Sequence, residues 1–333
     1  MANNHTAWNE TDDLLDKERE TGKIIQRFIV WMALFGCWIF FSIASDKFFQ
    51  VSNFIAILRD AAILGIISCG LTVVIISGGI DLSIGSLAGI SGLAASALIL
   101  KGLDGFFIVF IVSMAVCLAI GFINGIVINV VKIPALIATL AMMMILKGVK
   151  LVSYGSQDMF ISTIMPSWLY FMSKQFMGPV PISIFFFIGV CTLTSIILYK
   201  TPFGRKVYAV GADDAVAYLT GIKPQRVRIF TYVYLAALVW LASTLAVGRI
   251  GGYSYSLGQN YEMRAILAVI MGGTAFTGGR GTIEGSIAGV ILVATLNNGL
   301  TLMRIPYAWQ AVILGMIFIL VVGLDSYYHR YEV

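Results

Sequence analysis

Long apolar stretches recur ten times along this chain, and three are interrupted by glycine-rich runs holding Asp81, Arg249, Arg280 and Glu284. A run of some 20 apolar residues is what a helix needs to cross a bilayer. Irregular backbone and ionisable side chains at membrane depth are costly unless they face protein or a water-filled cavity. A polytopic chain that carries them reads as a conduit rather than an anchor. Apolar residues make up 59% of the 333 and charged residues only 12%, about half the share in soluble proteins. Ten spans use about 200 residues, so the expectation is one all-α membrane domain with short loops. The spans fall at roughly 24–44, 61–77, 84–100, 106–130, 134–152, 181–199, 229–247, 263–276, 283–302 and 310–324. Ahead of the second, Val51 to Asp60 reads as a short interfacial helix capped by Ser52, with Phe54, Ile55 and Leu58 on one face.

The polar, acid-rich stretch 1–23 lacks the basic start of a signal peptide, and the run after it is longer than a signal core. It reads as a cytoplasmic tail before a retained first span. The segment from about 200 to 228 carries Lys200, Arg205, Lys206, Lys223, Arg226 and Arg228 against Asp213 and Asp214, which places it in the cytoplasm. Counting spans from there puts both termini inside, with 326–333 as a C-terminal tail, and the 153–180 loop outside. Lys17, Arg19, Lys23 and Arg27 agree. The net charge of +5 fits cationic inner loops and needs no nucleic acid. Cys37, Cys69, Cys117 and Cys191 lie inside apolar spans without C-x-x-C spacing and read as small buried residues. With His5 and His329 the sole histidines, a metal site or a catalytic histidine in the bundle is excluded, and no cofactor is called for.

A faint repeat links the two halves. Val73-Val-Ile-Ile-Ser-Gly-Gly79 leads into Ile84-Gly-Ser-Leu-Ala-Gly89, and Val269-Ile-Met-Gly-Gly273 leads into Glu284-Gly-Ser-Ile-Ala-Gly289. Duplicated halves with matching broken helices mark the pathway in many transporters. In the first break, Gly78, Gly79, Asp81 and Ser83 are the candidate residues. Asp81 or Ser83 either caps the next helix, shapes the pathway wall, or does both. In the second, Gly272, Gly273, Gly278 and Gly279 surround Arg280, which either pairs with Glu284 or joins a nest of amides able to hold an anion. No G-x-x-x-x-G-K-[ST] loop occurs, so this chain cannot hydrolyse ATP by that route.

The segment Gly211 to Gly221 reads as a two-turn helix with Asp213 as N-cap and Gly221 past its end. Ala215, Val216, Leu219 and Ile222 make it too apolar for a solvated loop, so it either docks another protein or packs on its own bundle. Gly211, Asp213, Asp214, Ala217, Leu219 and Gly221 are its candidate residues. Small residues four apart (Gly85 with Gly89, Gly121 with Gly125, Gly285 with Gly289) permit close helix packing, within the chain or between copies.

Together, Asn53-Phe-Ile-Ala-Ile-Leu-Arg59, Gly78-Gly-Ile-Asp-Leu-Ser-Ile-Gly-Ser86, Thr201-Pro-Phe-Gly-Arg205, Tyr208-Ala-Val-Gly211, Tyr261-Glu262, Gly272-Gly273, Gly278-Gly279, Asn298-Gly-Leu300, Gln310 and Asp325 resemble the permease subunit of bacterial ABC importers of the ribose/galactose/arabinose/xylose class. The resemblance covers nearly all of the chain after the tail. It implies a type II-like permease domain over 24–325 in the bacterial inner membrane. It implies uptake of a monosaccharide or similar polyol delivered by a periplasmic or lipoprotein binding protein. An ABC ATPase subunit would dock on the 211–221 helix, and a second permease copy or paralogue would complete the assembly within membrane lipid. Ala212, Asp213, Ala215 and Val216 depart from the usual coupling segment, and Arg264 stands where an acid is common. A related importer for nucleosides or branched-chain amino acids shares fold and partners. An ion-driven transporter would not need the docking helix, and a membrane enzyme would need clustered catalytic groups that are absent from the sequence.

Overall fold

The computed structural model describes residues 30–173, 175–177 and 179–329. The acidic tail 1–23, the first residues of the 24–44 span and the last four of the 326–333 stretch lie outside them. Helix α1 covers Val30–Ala44, followed by α2 (Val51–Ile76), α3 (Ile84–Leu100), α4 (Phe106–Asn129) and α5 (Ala135–Tyr154). Strand β1 (Met159–Phe160), helix α6 (Ser167–Ser173) and strands β2 (Gln175–Met177) and β3 (Val180–Pro181) lead to α7 (Ile182–Lys200). Then come α8 (Pro202–Ala212), α9 (Asp214–Leu219), α10 (Pro224–Ile250), β4 (Gly252–Tyr253), α11 (Tyr261–Met271), α12 (Ile283–Leu302) and α13 (Tyr307–His329).

Among the described residues six helices are long and apolar enough to cross a membrane: α2, α4, α5, α7, α10 and α12. Ile84–Leu100 is a shorter apolar helix, Val30–Ala44 and Ala308–Val321 are shorter apolar stretches, the latter within the 23-residue α13, and α11 has only 11 residues. Among the described residues, six of the ten expected spans therefore meet both the length and the apolarity of a crossing helix.

One expectation is corrected. The stretch from Val51 to Asp60 is not a separate interfacial helix but the start of α2, whose 26 residues extend about 39 Å at 1.5 Å each. Its first cap is Gln50 rather than Ser52. The sequence pattern nonetheless marked the change of environment, since every residue from Ala61 to Ile76 is buried. The sequence reading made no helix of α8, which begins with Pro202 at its first turn while Thr201 Oγ1 accepts from the Gly204 amide at 3.3 Å. Proline pre-sets the backbone there and its missing N–H costs nothing.

The centre of the molecule is α2 and α10, which pack on each other; α10 also meets α3 and α4, and α2 meets α7, α11 and α12. Helices α4 and α5 expose much of their apolar surface, as lipid-facing helices do. The paired glycines serve contacts inside the chain. A Cβ on Gly121 would strike Ala236 and the Tyr232 carbonyl, one on Gly125 would crowd Ile229, and one on Gly85 would overlap the Gly258 carbonyl oxygen. The antiparallel pairing of β1 with β4 (Met159 opposite Tyr253, Phe160 opposite Gly252) ties the long 155–181 segment to the end of α10.

Gly289 shows how little slack these contacts have, because a Cβ there would overlap the Ala268 carbonyl oxygen of α11. Overpacking of this kind costs about 1–3 kcal/mol. Gly289→Ala is expected to lower the unfolding temperature in detergent by several degrees. Gly189→Ala, in α7 with nothing within 4 Å of the new methyl, should be neutral or stabilising by up to about 1 kcal/mol. Equal shifts in the two variants, read by thermal unfolding, would contradict this packing.

Candidate functional site

Helices α2 and α11 stop in the same way. At the end of α2, Gly78 takes φ +80°, its amide donates to the Ile75 carbonyl at 2.8 Å, and the Gly79 amide donates to Val74 at 2.9 Å. At the end of α11, Gly273 takes φ +84°, its amide donates to Ile270 at 2.8 Å, and the Thr274 amide donates to Val269 at 3.2 Å. Both are the left-handed glycine termination that satisfies the last carbonyls of a helix. The sequence repeat thus has a structural counterpart, with Gly78 matching Gly273 and the new helices restarting at Ile84 and Ile283. A Cβ on Gly79 would fall 2.8 Å from the Tyr232 hydroxyl, and one on Gly272 would overlap the Gly285 carbonyl oxygen.

Between α2 and α3, Asp81 is 2% exposed. Its Oδ1 accepts from the Ser83 amide at 2.7 Å and from the Ser83 hydroxyl at 2.6 Å. Asn124 of α4 donates to Ser83 Oγ at 3.0 Å and more weakly to Asp81 Oδ2 at 3.4 Å. Tyr232 of α10 donates to the Ile80 carbonyl at 3.0 Å. Asp81 therefore holds the turn itself; Ser83 stands at the N-cap position of α3, but neither side chain accepts from the amides of its first turn. Asn124 and Tyr232 escaped the sequence reading because each sits in an apolar helix with no local signal.

The second loop folds back onto the first. The Gly279 amide donates to the Ile76 carbonyl at 2.8 Å. A Cβ on Gly278 would lie 3.0 Å from Gly78 Cα and 3.0 Å from the Gly211 carbonyl, and one on Gly279 would lie 3.0 Å from Ala212 Cα. A Cβ on Gly211, at the end of α8, would overlap the Ile76 carbonyl oxygen. Gly78, Gly211, Gly278 and Gly279 thus meet backbone to backbone, so residues that looked like two separate sets in the sequence form one junction. Side chains brace it. Arg228 donates from Nε to the Ser77 carbonyl at 2.8 Å and from Nη1 to Asp214 at 2.7 Å. The Tyr208 hydroxyl donates to the Gly281 carbonyl at 2.8 Å. Burial, and then the charge of Glu284, raise the Tyr208 pKa, which keeps that donor protonated. Glu284 accepts from the Tyr199 hydroxyl at 2.8 Å.

From this junction α9 projects outward. Asp213 caps it, accepting from the Ala215 and Val216 amides at 2.7 and 3.0 Å. Gly221 at φ +84° ends it, with Gly221 and Ile222 amides donating to Tyr218 and Ala217. Ala217 is buried against the bundle, whereas Val216, Tyr218 and Leu219 are exposed, Leu219 by 84%. Asp214 faces inward to Arg228, and Leu219 faces away from the chain. No group of three or more metal-ligating side chains occurs among the described residues.

Over residues 53–322 the sequence matches the family described as branched-chain amino acid transport system, permease component. The chain belongs to this family. The permease is 33% identical over 302 residues to the ribose import permease protein of Bacillus subtilis, covering 91% of this chain and 93% of that protein. It is 31% identical to the ribose import permease protein of Escherichia coli K12, covering 86% and 89%. To the D-allose transport system permease protein of the same organism it is 28% identical, covering 86% and 87%. No solved structure matches the chain significantly. The permease is accordingly a multi-pass transport component rather than an enzyme.

Removing the Asp81 carboxylate would strand the Ser83 and Asn124 donors in a buried site, at about 1–3 kcal/mol. Asp81→Ala is expected to lower the unfolding temperature of the purified permease clearly, while Asp81→Asn, which keeps an acceptor for Ser83, is expected to lose less than half as much. Equal losses in Asn and Ala would show that the negative charge, not the hydrogen bonding, holds the turn.

Proposed function

We propose that this chain is the membrane-spanning subunit of an ABC importer for a monosaccharide or similar polyol. α9 docks an ATPase on the cytoplasmic side, and the two broken segments form part of the solute route. The observation that carries the docking assignment is α9 itself. A capped helix with one buried alanine and exposed Val216, Tyr218 and Leu219 gains little by standing in water, and an apolar groove on a partner would cover it. The sugar assignment is supported by the near full-length similarity to ribose and allose importers. The family description names branched-chain amino acids, which keeps an amino-acid substrate as the second reading.

In this account the cationic α8–α9 side is cytoplasmic, both termini lie there, and the three shorter apolar stretches together with α11 bring the crossings to ten. A binding protein delivers solute at the opposite face. Each chain offers one α9, while an ABC ATPase works as two halves, so two permease subunits around a two-fold axis are required. The faces of Gly85, Gly89, Gly285 and Gly289 are occupied within the chain, so the dimer contact lies elsewhere. ATP binding that moves α9 would pull on the ends of α2 and α11 through the glycine junction and Arg228.

Leu219→Asp alters a fully projecting side chain, so the fold should be unchanged. Uptake of labelled ribose in cells carrying the complete transporter is expected to fall at least about tenfold, since burying an unpaired charge in an apolar groove costs more than 1.4 kcal/mol. Co-purification of the ATPase should fall in parallel. Wild-type uptake and co-purification in this variant would refute docking through α9. Absence of ATP-dependent ribose uptake in the wild type, with uptake of leucine in its place, would favour the second reading.

A further inference from the structure

A carboxylate and a buried ammonium stand near each other without pairing, away from the glycine junction. Lys150 of α5 is 7% exposed, and Glu262, in the first turn of α11, is partly exposed. Both lie against one face of α3. A Cβ on Gly85 would overlap Glu262 Oε2 and the Gly258 carbonyl oxygen, and one on Gly89 would fall 2.8 Å from Lys150 Nζ. Positions four apart on a helix are neighbours, so the two charges sit about one turn of α3 apart, within electrostatic reach of each other. No ion pair joins them among the described residues.

Tyr255 completes the cluster. Lys150 Nζ donates to its carbonyl at 3.5 Å, a long bond, and lies 5.3 Å from its ring centroid; Tyr255 remains 40% exposed. The bend that carries Tyr255 is held without Lys150. Asp158 accepts from the Tyr255 amide at 2.7 Å and from the Ser254 hydroxyl at 3.0 Å, and the Leu257 and Gln259 amides donate to the Ser254 and Ser256 carbonyls. An ammonium has three donors, and one long bond does not offset the cost of burying it in a membrane domain. The neighbouring charges leave this shortfall in place. Exposed Lys147 is a second cation within reach of Glu262, and Asp158 is committed to the bend. Arg264, two positions beyond Glu262 and so on another face of α11, acts on Tyr261 together with Arg249 and Asp60.

A carboxylate, an ammonium and an aromatic ring at this spacing suit a polyol. Adjacent hydroxyls donate to a carboxylate, another hydroxyl or a ring oxygen accepts from an ammonium, and the C–H face of a sugar packs on an aromatic ring. We propose that Glu262, Lys150 and Tyr255 form a binding subsite for a neutral polyol, whose hydroxyls bridge the two charges that do not reach each other. The proposal rests on the transport reading above and adds one station to the solute route. Helix α11 runs from Glu262 to the Gly272–Gly273 break, so a solute held here touches a helix that ends at the junction.

The test is thermal unfolding of the purified full-length permease titrated with D-ribose at constant ionic strength, with L-leucine for comparison. Sugars stabilise proteins in general by exclusion from their surface, without saturation; the subsite adds a saturable part. In Glu262→Gln and in Lys150→Gln the half-effect concentration of that part should rise at least about fivefold, because charge-assisted hydrogen bonds are roughly twice as strong as neutral ones. Lys150→Arg should recover much of it. Tyr255→Ala, at an exposed position that the fold tolerates, should weaken the response at least about threefold, the loss of one ring contact. Tyr255→Phe should keep the response, and exposed Lys101→Gln should match the wild type. A wild-type response with no saturable part, a saturable part indifferent to both Glu262→Gln and Tyr255→Ala, or an equal saturable response to leucine would overturn the proposal. Should ATP-driven ribose uptake by the complete transporter persist alongside any of those results, the transport reading stands and only the subsite falls.

Discussion

The hydrogen bond from the Gly279 amide to the Ile76 carbonyl, 2.8 Å long, is the contact on which the functional end of this molecule depends. Two helices terminate inside a bundle, and every carbonyl and amide freed and buried there needs a partner. The chain meets this requirement by bringing one break against the other. Only glycine permits the approach, since any side chain at Gly211 would occupy the position of the Ile76 carbonyl oxygen. The remaining carbonyls are met by long side chains arriving from α8 and α10: Tyr208 at Gly281, Arg228 at Ser77 and Tyr232 at Ile80.

This arrangement links three levels of the account. Left-handed glycines close α2 and α11 at equivalent places in the two halves, which is local chemistry. Their loops then pack on the end of α8, which is tertiary structure. The same α8 continues through Asp213 into α9, whose exposed face suits a partner protein. A force on α9 has a short path to both breaks, through backbone contact at Gly211 and through the Asp214–Arg228–Ser77 bridge. The half-exposed ion pair adds at most about 1 kcal/mol of stability, so its value lies in geometry.

Local chemistry was legible in the sequence and remote pairing was not. Asp213 and Gly221 announced both ends of α9, and the Gly-Gly breaks announced where α2 and α11 stop, because caps and left-handed turns are set by the residues at those points. The transition at Asp60 was visible as a change of environment, but the helix ran straight through it, since burial and helicity are independent properties. The Thr-Pro start of α8 was available as a signal and went unread. Arg228 looked like one more cytoplasmic cation, and Asn124 and Tyr232 like ordinary residues of apolar helices. Their partners lie far away in the chain, so no local pattern could reveal them. The glycine junction joins residues near 78, 211 and 279 for the same reason.

The central claim is that α9 and the two breaks move as one body. Spin labels at Thr220, exposed at the end of α9 and outside the face of Val216, Tyr218 and Leu219, and at exposed Phe276 report the distance across the junction by pulsed dipolar spectroscopy in the assembled transporter. The account predicts that this distance stays the same between ATP-free and ATP-bound states, while distances from α9 to the same helix of the second permease change. A Thr220–Phe276 distance that shifts with ATP as much as the distance between the two α9 helices would show that the junction gives way rather than transmits.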